Sequence, residues 1–583
     1  MKKIFLAFLF FATSSVGILR AQSTQEVICD DKWKFTTGDD MNWATPNFDD
    51  SAWKTISSAY NWENQGYPDY DGFGWYRKLV ELPANLTAQI KKYGGILVKY
   101  NNADDADEFY FNGQRIGVTG VMPPNYFSKY GEKRKYIVPA KYINFGKPNL
   151  MAVRVYDGIG GGGMATSNTV IRPMSATDKV TFTYSFPAKE WVFMQNDPQR
   201  MDIKLKNTLK EKVKFNVIMV LKTDMFKAVD SIVIPVSLES GKTLATAVPF
   251  KLPAPGFYRC TVYLQKDGIS GNPEKFNIGY EPEKVVSPAD AKADFEQFWK
   301  QSLADLAKVS PDFKMTLIPE RSTGAKNIYH VEMMSYMNTK IEGYYAAPKA
   351  VGKYPAIAVY MGYGSEGYYP DTNGNPGFAE FILSVRGQGF QKSTSTYGDW
   401  DTWGLAAKET YYYRGAFLDL VRAIDFLVTR PEVDADKIVA EGGSQGGAFT
   451  LAACALDHRI KAAAPTIPFL SDYRDYFKIV SWPRSDFEKY LANNPDANWE
   501  KVYDVLSYFD IKNLAGKIKC PIFMAAGLQD EVCPNHTNFA AFNNIKSEKK
   551  WAIYHDQGHG TPNEWYELRM NFFKEELGII GIK

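Results

Sequence analysis

The feature that most constrains this chain is a change of hydrophobic period at Ser287. Upstream, apolar residues alternate with polar ones: Val213, Phe215, Val217 and Met219, then Ile232, Ile234, Val236 and Leu238, then Tyr258, Cys260, Val262 and Leu264. A period of two puts each set on one face of a strand. With turns such as Pro253-Ala254-Pro255-Gly256, residues 178–285 are expected to form a small immunoglobulin-like β-sandwich that acts as a spacer. Residues 24–175 carry shorter β-like runs, for example 95–100, 108–112 and 150–156, broken by Asn, Asp, Gly and Pro, which predicts another all-β unit. Downstream, Ser287 as N-cap, Pro288 at the first helical position and Phe295, Phe298, Trp299 and Leu303 on one face predict an amphipathic helix. Apolar runs at 354–361, 378–385, 437–441, 520–526 and 551–555 then alternate with helical patterns at 411–428, 445–456 and 535–545. Strands separated by helices predict a mostly parallel sheet covered on both faces over residues 287–583.

At 583 residues, several units are expected, since a single hydrophobic core stops growing near ~250–300 residues. The charge balance is close to even, 68 Lys+Arg against 66 Asp+Glu, which excludes a basic nucleic-acid footprint. With 45% hydrophobic residues the composition also excludes wholesale disorder. Aromatic residues make up 15%, and five of the 13 Trp fall between Trp33 and Trp75. Such a surplus either fills β cores or lines surfaces that stack on flat ligands, and these five, with Trp400 and Trp403, are the positions at which such a surface is testable. Gly160 to Gly163 predicts a tight loop without the pattern of a phosphate cradle.

Residues 1–21 have the pattern of a signal peptide: Lys2 and Lys3, an apolar run from Ile4 to Ala12, and small Ala21 at the junction. The run is shorter than the ~20 residues a membrane span needs, and no Cys stands at the junction for a lipid anchor. The expected location is periplasmic or secreted, with no membrane span after signal removal. Cys29, Cys260, Cys454, Cys520 and Cys533 are odd in number and scattered, which points to neither a disulfide framework nor a metal site.

Gly442-Gly443-Ser444-Gln445-Gly446 fits G-x-S-x-G between an apolar run and a helical one, the strand-turn-helix context of a nucleophile elbow. A serine hydroxyl needs a base, and the base needs an orienting carboxylate. Only five His are available. In this fold the acid and then the His follow the serine in chain order, in loops after late strands. Asp530 in Gly527-Leu528-Gln529-Asp530 and His559 in Asp556-Gln557-Gly558-His559 fit that order. His559 is preferred to His555, which lies at a strand end, and Asp510 is the reserve acid. His330, His458 and His536 are read as structural or surface residues, and His555 with His559 lacks a third ligand for a metal. The oxyanion donors are then the Gln445 amide and, from Tyr360-Met361-Gly362-Tyr363-Gly364, the Tyr363 amide.

These residues carry a resemblance to the acetyl xylan esterase and cephalosporin C deacetylase family, carbohydrate esterase family 7. It spans about 289–579 through Phe295-Glu296-Gln297-Phe298-Trp299, Gly362-Tyr363-Gly364, Arg386-Gly387-Gln388, Tyr411-Tyr412-Tyr413-Arg414-Gly415, Pro468-Phe469-Leu470, Leu506-Ser507-Tyr508-Phe509-Asp510 and the serine and aspartate motifs. The resemblance implies an α/β-hydrolase that removes acetyl groups from carbohydrate esters without a cofactor or metal. Ser444, Asp530 and His559 match the triad, and Tyr363 and Gln445 match the oxyanion donors. Arg386 and Gln388 match a signature read here as support for a loop.

Two places depart from the family pattern: Gly560 follows His559 where the family usually has Glu, leaving Glu564 as the nearest acid, and residues 397–403 differ. Residues 24–175 resemble the jelly-roll sugar-binding domain of glycoside hydrolase family 2 through Phe48-Asp49-Asp50-Ser51-Ala52-Trp53, Gly74-Trp75-Tyr76-Arg77 and Ala152-Val153-Arg154-Val155-Tyr156-Asp157. The partner expected is an acetylated oligosaccharide or polysaccharide, not nucleic acid. A homo-oligomer is the assembly that relatives often adopt. The rival readings are a serine hydrolase of larger acyl esters or peptides and a glycan-binding protein with an inactive hydrolase domain.

Overall fold

The computed structural model describes residues 26–579 except 69, 130–131, 159–160, 373–374 and 376; the expected signal segment 1–21 and Gly160 lie outside the described residues. Two β units precede an α/β unit. In the first, a six-stranded antiparallel sheet runs in the order Lys54–Ser57, Lys32–Thr37, Gly72–Val80, Asn149–Asp157, Ala106–Phe111, Gln114–Thr119. It shares a core with a four-stranded sheet, Val27–Cys29, Thr169–Pro173, Gly95–Tyr100, Arg134–Pro139. Phe35, Tyr76 and Val153 from one sheet meet Val98, Val138 and Ile171 from the other. Trp33, Trp62 and Trp75 are at most 1% exposed, and Trp43 and Trp53 are half-buried with their rings 5.3 Å apart edge to face. Stacking on a sugar needs an open ring face. The expectation of a glycan surface is therefore overturned for Trp33, Trp62 and Trp75, which fill the core.

In the second unit the strands Val180–Ser185, Arg200–Asn207 and Thr243–Pro249 pack over a sheet formed by β1 (Val213–Thr223), β2 (Ala228–Leu238), β3 (Gly256–Lys266) and β4 (Glu274–Tyr280), ordered β4-β3-β1-β2. Alternation places Leu221, Cys260, Val262 and Phe276 in the core between the sheets. The residues between them, Lys222, Arg259, Thr261, Lys275 and Asn277, share the other face through the pairings of Lys222 with Arg259, Arg259 with Asn277 and Thr261 with Lys275. At the start of β3, Phe257 leaves that core and packs 5.7 Å from Phe539 in the core of the α/β unit.

The α/β unit is a nine-stranded sheet: β5 (Lys314–Leu317), β6 (Lys326–Ser335), β7 (Thr339–Pro348), β8 (Tyr354–Tyr360), β9 (Ala379–Ser384), β10 (Val433–Gly443), β11 (Ile460–Thr466), β12 (Ile522–Gly527) and β13 (Lys549–Tyr554). Its order is β5-β6-β7-β9-β8-β10-β11-β12-β13, antiparallel as far as β9 and parallel beyond. Helices α1 (Phe295–Ala307), α2 (Tyr412–Val428), α3 (Gln445–Leu456), α4 (Tyr473–Ile479), α5 (Asn535–Asn544) and α6 (Glu564–Glu576) cover it. Along β8, Ala356, Ala358 and Tyr360 enter one core while Ile357 and Val359 enter another with Phe573 of α6. Both faces are thus buried, which explains why the strand reads as an unbroken apolar run. One local expectation fails: α1 begins at Phe295, and Ser287 Oγ instead donates to Asp472 Oδ2 at 2.7 Å. Among the described residues no helix is long and apolar enough to cross a membrane.

Candidate active site

Ser444 sits where β10 ends and α3 begins, with φ 58° and ψ −120°. A left-handed φ on a residue with a side chain costs on the order of 1–3 kcal/mol and persists only where its surroundings impose it. Here they do: a Cβ on Gly446 would stand 2.0 Å from the carbonyl oxygen of Tyr360, so α3 can approach the end of β8 only with glycine there. Ser444 N–H donates to Thr466 O at 3.0 Å, tying the turn to β11. As the first residue of α3, Gln445 has an amide with no intrahelical carbonyl to meet, and it stands at the positive end of the helix.

Asp530 lies three residues past the end of β12 and is fully buried as a side chain. Its Oδ1 accepts from the amides of Val532 and Cys533, both at 2.8 Å, while Oδ2 meets His559 Nδ1 at 2.9 Å. The carboxylate is satisfied on both oxygens, and Nε2 of His559 is left as the nitrogen able to take a proton. Ser444 Oγ lies 4.0 Å from Cys533 Sγ, and among the described residues no hydrogen bond joins it to His559. The acid–histidine pair is formed; the serine–histidine contact is open. Such contacts often tighten only when substrate is bound.

Gln529 holds the two loops together. Its amide donates to Gln557 O at 2.9 Å and its Nε2 to His555 O at 2.8 Å. Its side chain also reaches β4: Asn277 N–H donates to Oε1 at 2.7 Å and Nε2 donates to Asn277 O at 3.2 Å. Gly527 permits this packing, because a Cβ there would lie 2.0 Å from Gly558 O. These contacts hold residues 555–558, before His559; after it, Glu564 serves as the first residue of α6.

On the other side of the elbow, Gln388 connects the two expected oxyanion loops. Gly364 N–H donates to Gln388 Oε1 at 3.2 Å, and Gln445 Nε2 donates to the same oxygen at 3.0 Å. The Tyr363 amide has no acceptor among the described residues. Arg386 forms a buried two-pronged pair with Asp419, at 2.9 and 2.6 Å, as expected of a residue that pins a loop. The Tyr363 ring packs 5.2 Å from both Trp400 and Trp482, and Trp482 stacks on Phe469, whose amide donates to Ser444 O. Trp403 is 43% exposed and packs edge to face with Tyr397. Burial raises the Tyr363 phenol well above its ordinary value and lifts the Asp401 carboxyl to about 7, with repulsion from Asp486 and Asp399 adding to the latter. Burial and the neighbouring Asp530 likewise raise the Cys533 thiol. Sequence reasoning missed Cys533 beside Ser444 and Trp482 beside Tyr363, because neither belongs to a recognisable spacing.

The remaining expected residues fall elsewhere. Asp510 starts the short helix Ile511–Leu514, accepting from the amides of Asp472, Tyr473 and Lys512. His555 Nδ1 is held at 2.7 Å by Glu190 of the second unit. His536 is enclosed by Asp224, Asp472 and Asp475 at 2.9 to 3.6 Å, and His330 pairs with Glu342.

The acetyl xylan esterase (AXE1) family model matches residues 280–577. This chain belongs to that family. It is a carboxylic ester hydrolase. The esterase is 27% identical over 359 residues to acetyl esterase Axe7A of Xylanibacter ruminicola, an alignment covering 59% of this chain and 79% of that protein. It is 33% identical to the solved acetyl xylan esterase of Paenibacillus sp. R4, over 51% of this chain and 98% of that one, with a TM-score of 0.48. Over 156 residues, 25% of this chain and 16% of the relative, it is 24% identical to beta-galactosidase BoGH2A of Bacteroides ovatus.

Proposed function

We propose that the esterase is exported to the periplasm or beyond and removes acetyl groups from acetylated xylan or xylo-oligosaccharides. In this reading 24–175 is a jelly roll, 178–285 an immunoglobulin-like sandwich and 287–583 an α/β-hydrolase. His559 Nε2 takes the Ser444 proton as Oγ attacks the acetyl carbonyl, Asp530 stabilises the imidazolium, and the amides of Tyr363 and Gln445 hold the oxyanion. Collapse of the tetrahedral intermediate transfers the His559 proton to the departing sugar oxygen and leaves acetyl-Ser444. Water, deprotonated by His559, then releases acetate and restores the serine.

The observation that carries this reading is the 2.9 Å His559–Asp530 bond beside a serine held at φ 58°. Acetyl is taken as the acyl group because the matching family model is that of acetyl xylan esterases and the relative Axe7A is an acetyl esterase. Ser444→Ala should abolish acetate release from acetylated xylo-oligosaccharides while the far-UV spectrum and melting curve stay native. Retained turnover would refute the assignment, and faster hydrolysis of a feruloyl ester than of an acetyl ester would refute the substrate class.

A further inference from the structure

Between the outer face of the β4-β3-β1 sheet and the α/β unit lies a cleft of about 660 Å³, within the ~300–1,000 Å³ range of ligand sites. Its sheet wall presents Lys222, Arg259 and Lys275, on three neighbouring strands. Among the described residues neither lysine forms an ion pair, and the nearest carboxylate to Arg259 is Glu531 at 4.0 Å, whose side chain is 80% exposed. Since the chain as a whole is nearly neutral, three cations with so little compensation on one wall are a local feature. The opposite rim carries Glu531 and Asp556.

Two of the four aromatic residues that line this cleft, Trp191 and Phe226, are held in uncommon backbone. Phe226 has φ 63°, is 50% exposed and lies beneath the Arg259 guanidinium at 4.3 Å. Trp191 has φ 56° and its ring packs 4.7 Å from His555, while Glu190 before it has φ 48° and binds that same His. Left-handed backbone at bulky residues is rare and clusters at ligand sites.

The cleft also abuts the catalytic loops. Gln529 and Glu531 line it, and Asp530 between them faces His559. Ser481 lines it as well, and the next residue, Trp482, packs on Tyr363.

We propose that this cleft is a second carbohydrate subsite, which binds a uronic-acid-bearing segment of the polysaccharide whose acetyl ester is presented to Ser444. The three cations meet the uronate carboxylate, the half-exposed Phe226 ring offers apolar area to a pyranose face, and Glu531 and Asp556 accept from sugar hydroxyls. The proposal rests on the esterase reading above, but its test separates the two.

The probes are acetylated xylo-oligosaccharides carrying glucuronic acid side groups, the same oligosaccharides after carboxyl reduction, and p-nitrophenyl acetate. With the wild-type enzyme, KM for the acidic oligosaccharide should be about tenfold lower than for the reduced one at low salt, and the difference should vanish in 0.5 M NaCl. Lys222→Ala/Lys275→Ala should abolish that preference, and Lys222→Glu/Lys275→Glu should invert it, with p-nitrophenyl acetate turnover unchanged in both. Equal KM for the acidic and reduced substrates in the wild type, or loss of affinity for both in the variants, would overturn the subsite. Absence of wild-type turnover on every probe would instead sink the esterase reading. Calorimetric binding of the acidic oligosaccharide to Ser444→Ala, and its loss in the added Lys222→Glu/Lys275→Glu background, would then still decide the subsite.

Discussion

Replacing Gln529 by Met tests whether the second β unit helps to position the catalytic groups. The change keeps chain length and removes three side-chain hydrogen bonds: Asn277 N–H to Oε1 at 2.7 Å, Nε2 to His555 O at 2.8 Å and Nε2 to Asn277 O at 3.2 Å. Each is worth about 1 kcal/mol net, and water reaches the seam in part, so a loss of about 2 kcal/mol is expected. Were all of it used to hold Asp530 and His559 in register, kcat would fall about thirtyfold, since ~1.4 kcal/mol is tenfold in rate. If the bonds only dock one unit on another, the loss appears in unfolding alone. The expected result is a kcat on p-nitrophenyl acetate reduced by about tenfold or more at nearly constant KM, with the urea midpoint lowered. Asn277→Leu spares the backbone bonds and loses only the 3.2 Å contact to Leu528 O, so its effect should be smaller. A Gln529→Met enzyme with kcat within twofold of wild type would refute the positioning argument.

Asp530→Asn and Asp510→Asn should separate the two acids. The first should lower kcat by roughly 10³–10⁴ with folding intact, whereas the second should keep kcat and lower the thermal midpoint, since Asp510 receives three amides and no histidine. Gly446→Ala should cost about 3 kcal/mol or more, or prevent folding, because its Cβ meets the Tyr360 carbonyl oxygen at 2.0 Å; expression and urea unfolding check it. His536 yields a pH prediction. Burial alone would lower its pKa, but Asp224, Asp472 and Asp475 outweigh burial and carry it from 6.5 to about 11. The native state therefore binds a proton that the unfolded chain releases above about 6.5. The stabilisation is fully present below that pH and declines by up to about 1.4 kcal/mol per unit as pH rises toward 11. Urea midpoints from pH 7 to 9.5 should fall in the wild type and stay flatter in His536→Gln; equal slopes would contradict it.

What the sequence revealed and what it hid follow from how far apart the interacting groups lie. The elbow is local: strand, glycines, serine and helix occupy consecutive positions, and α3 runs Gln445–Leu456, the same residues its helical pattern marks. The apolar runs that mark β8 and β12 were legible because parallel strands buried on both faces leave that pattern whatever surrounds them. Ser287 misled for the opposite reason. Its local pattern is that of a helix cap, but its hydroxyl is taken by Asp472, 185 residues away, inside the cluster around His536. The five early Trp were ambiguous because an aromatic ring has the same name in a core and on a sugar platform, and only neighbours such as Phe35, 5.4 Å from Trp62, decide.

The same limit bears on the second β unit. Its alternating strands announce a sandwich core and nothing else, since the residues of the outer face are spaced only by the strand period. What gives Asn277 a role is Gln529, 252 residues on, and what gives Lys222, Arg259 and Lys275 a shared wall is the order β4-β3-β1. A unit that reads as a spacer in one dimension thus contacts the loops of Gln529 and His555 in three. This makes a specific demand on the isolated α/β unit: without the second β unit, Gln529 loses Asn277 and His555 loses Glu190. Residues 287–583 expressed alone should therefore hydrolyse p-nitrophenyl acetate with a lower kcat than the full chain, in the same direction as Gln529→Met. If the separate unit folds and matches the full chain in kcat, the second unit is a spacer after all, and its contacts with the catalytic loops are docking without consequence for the chemistry.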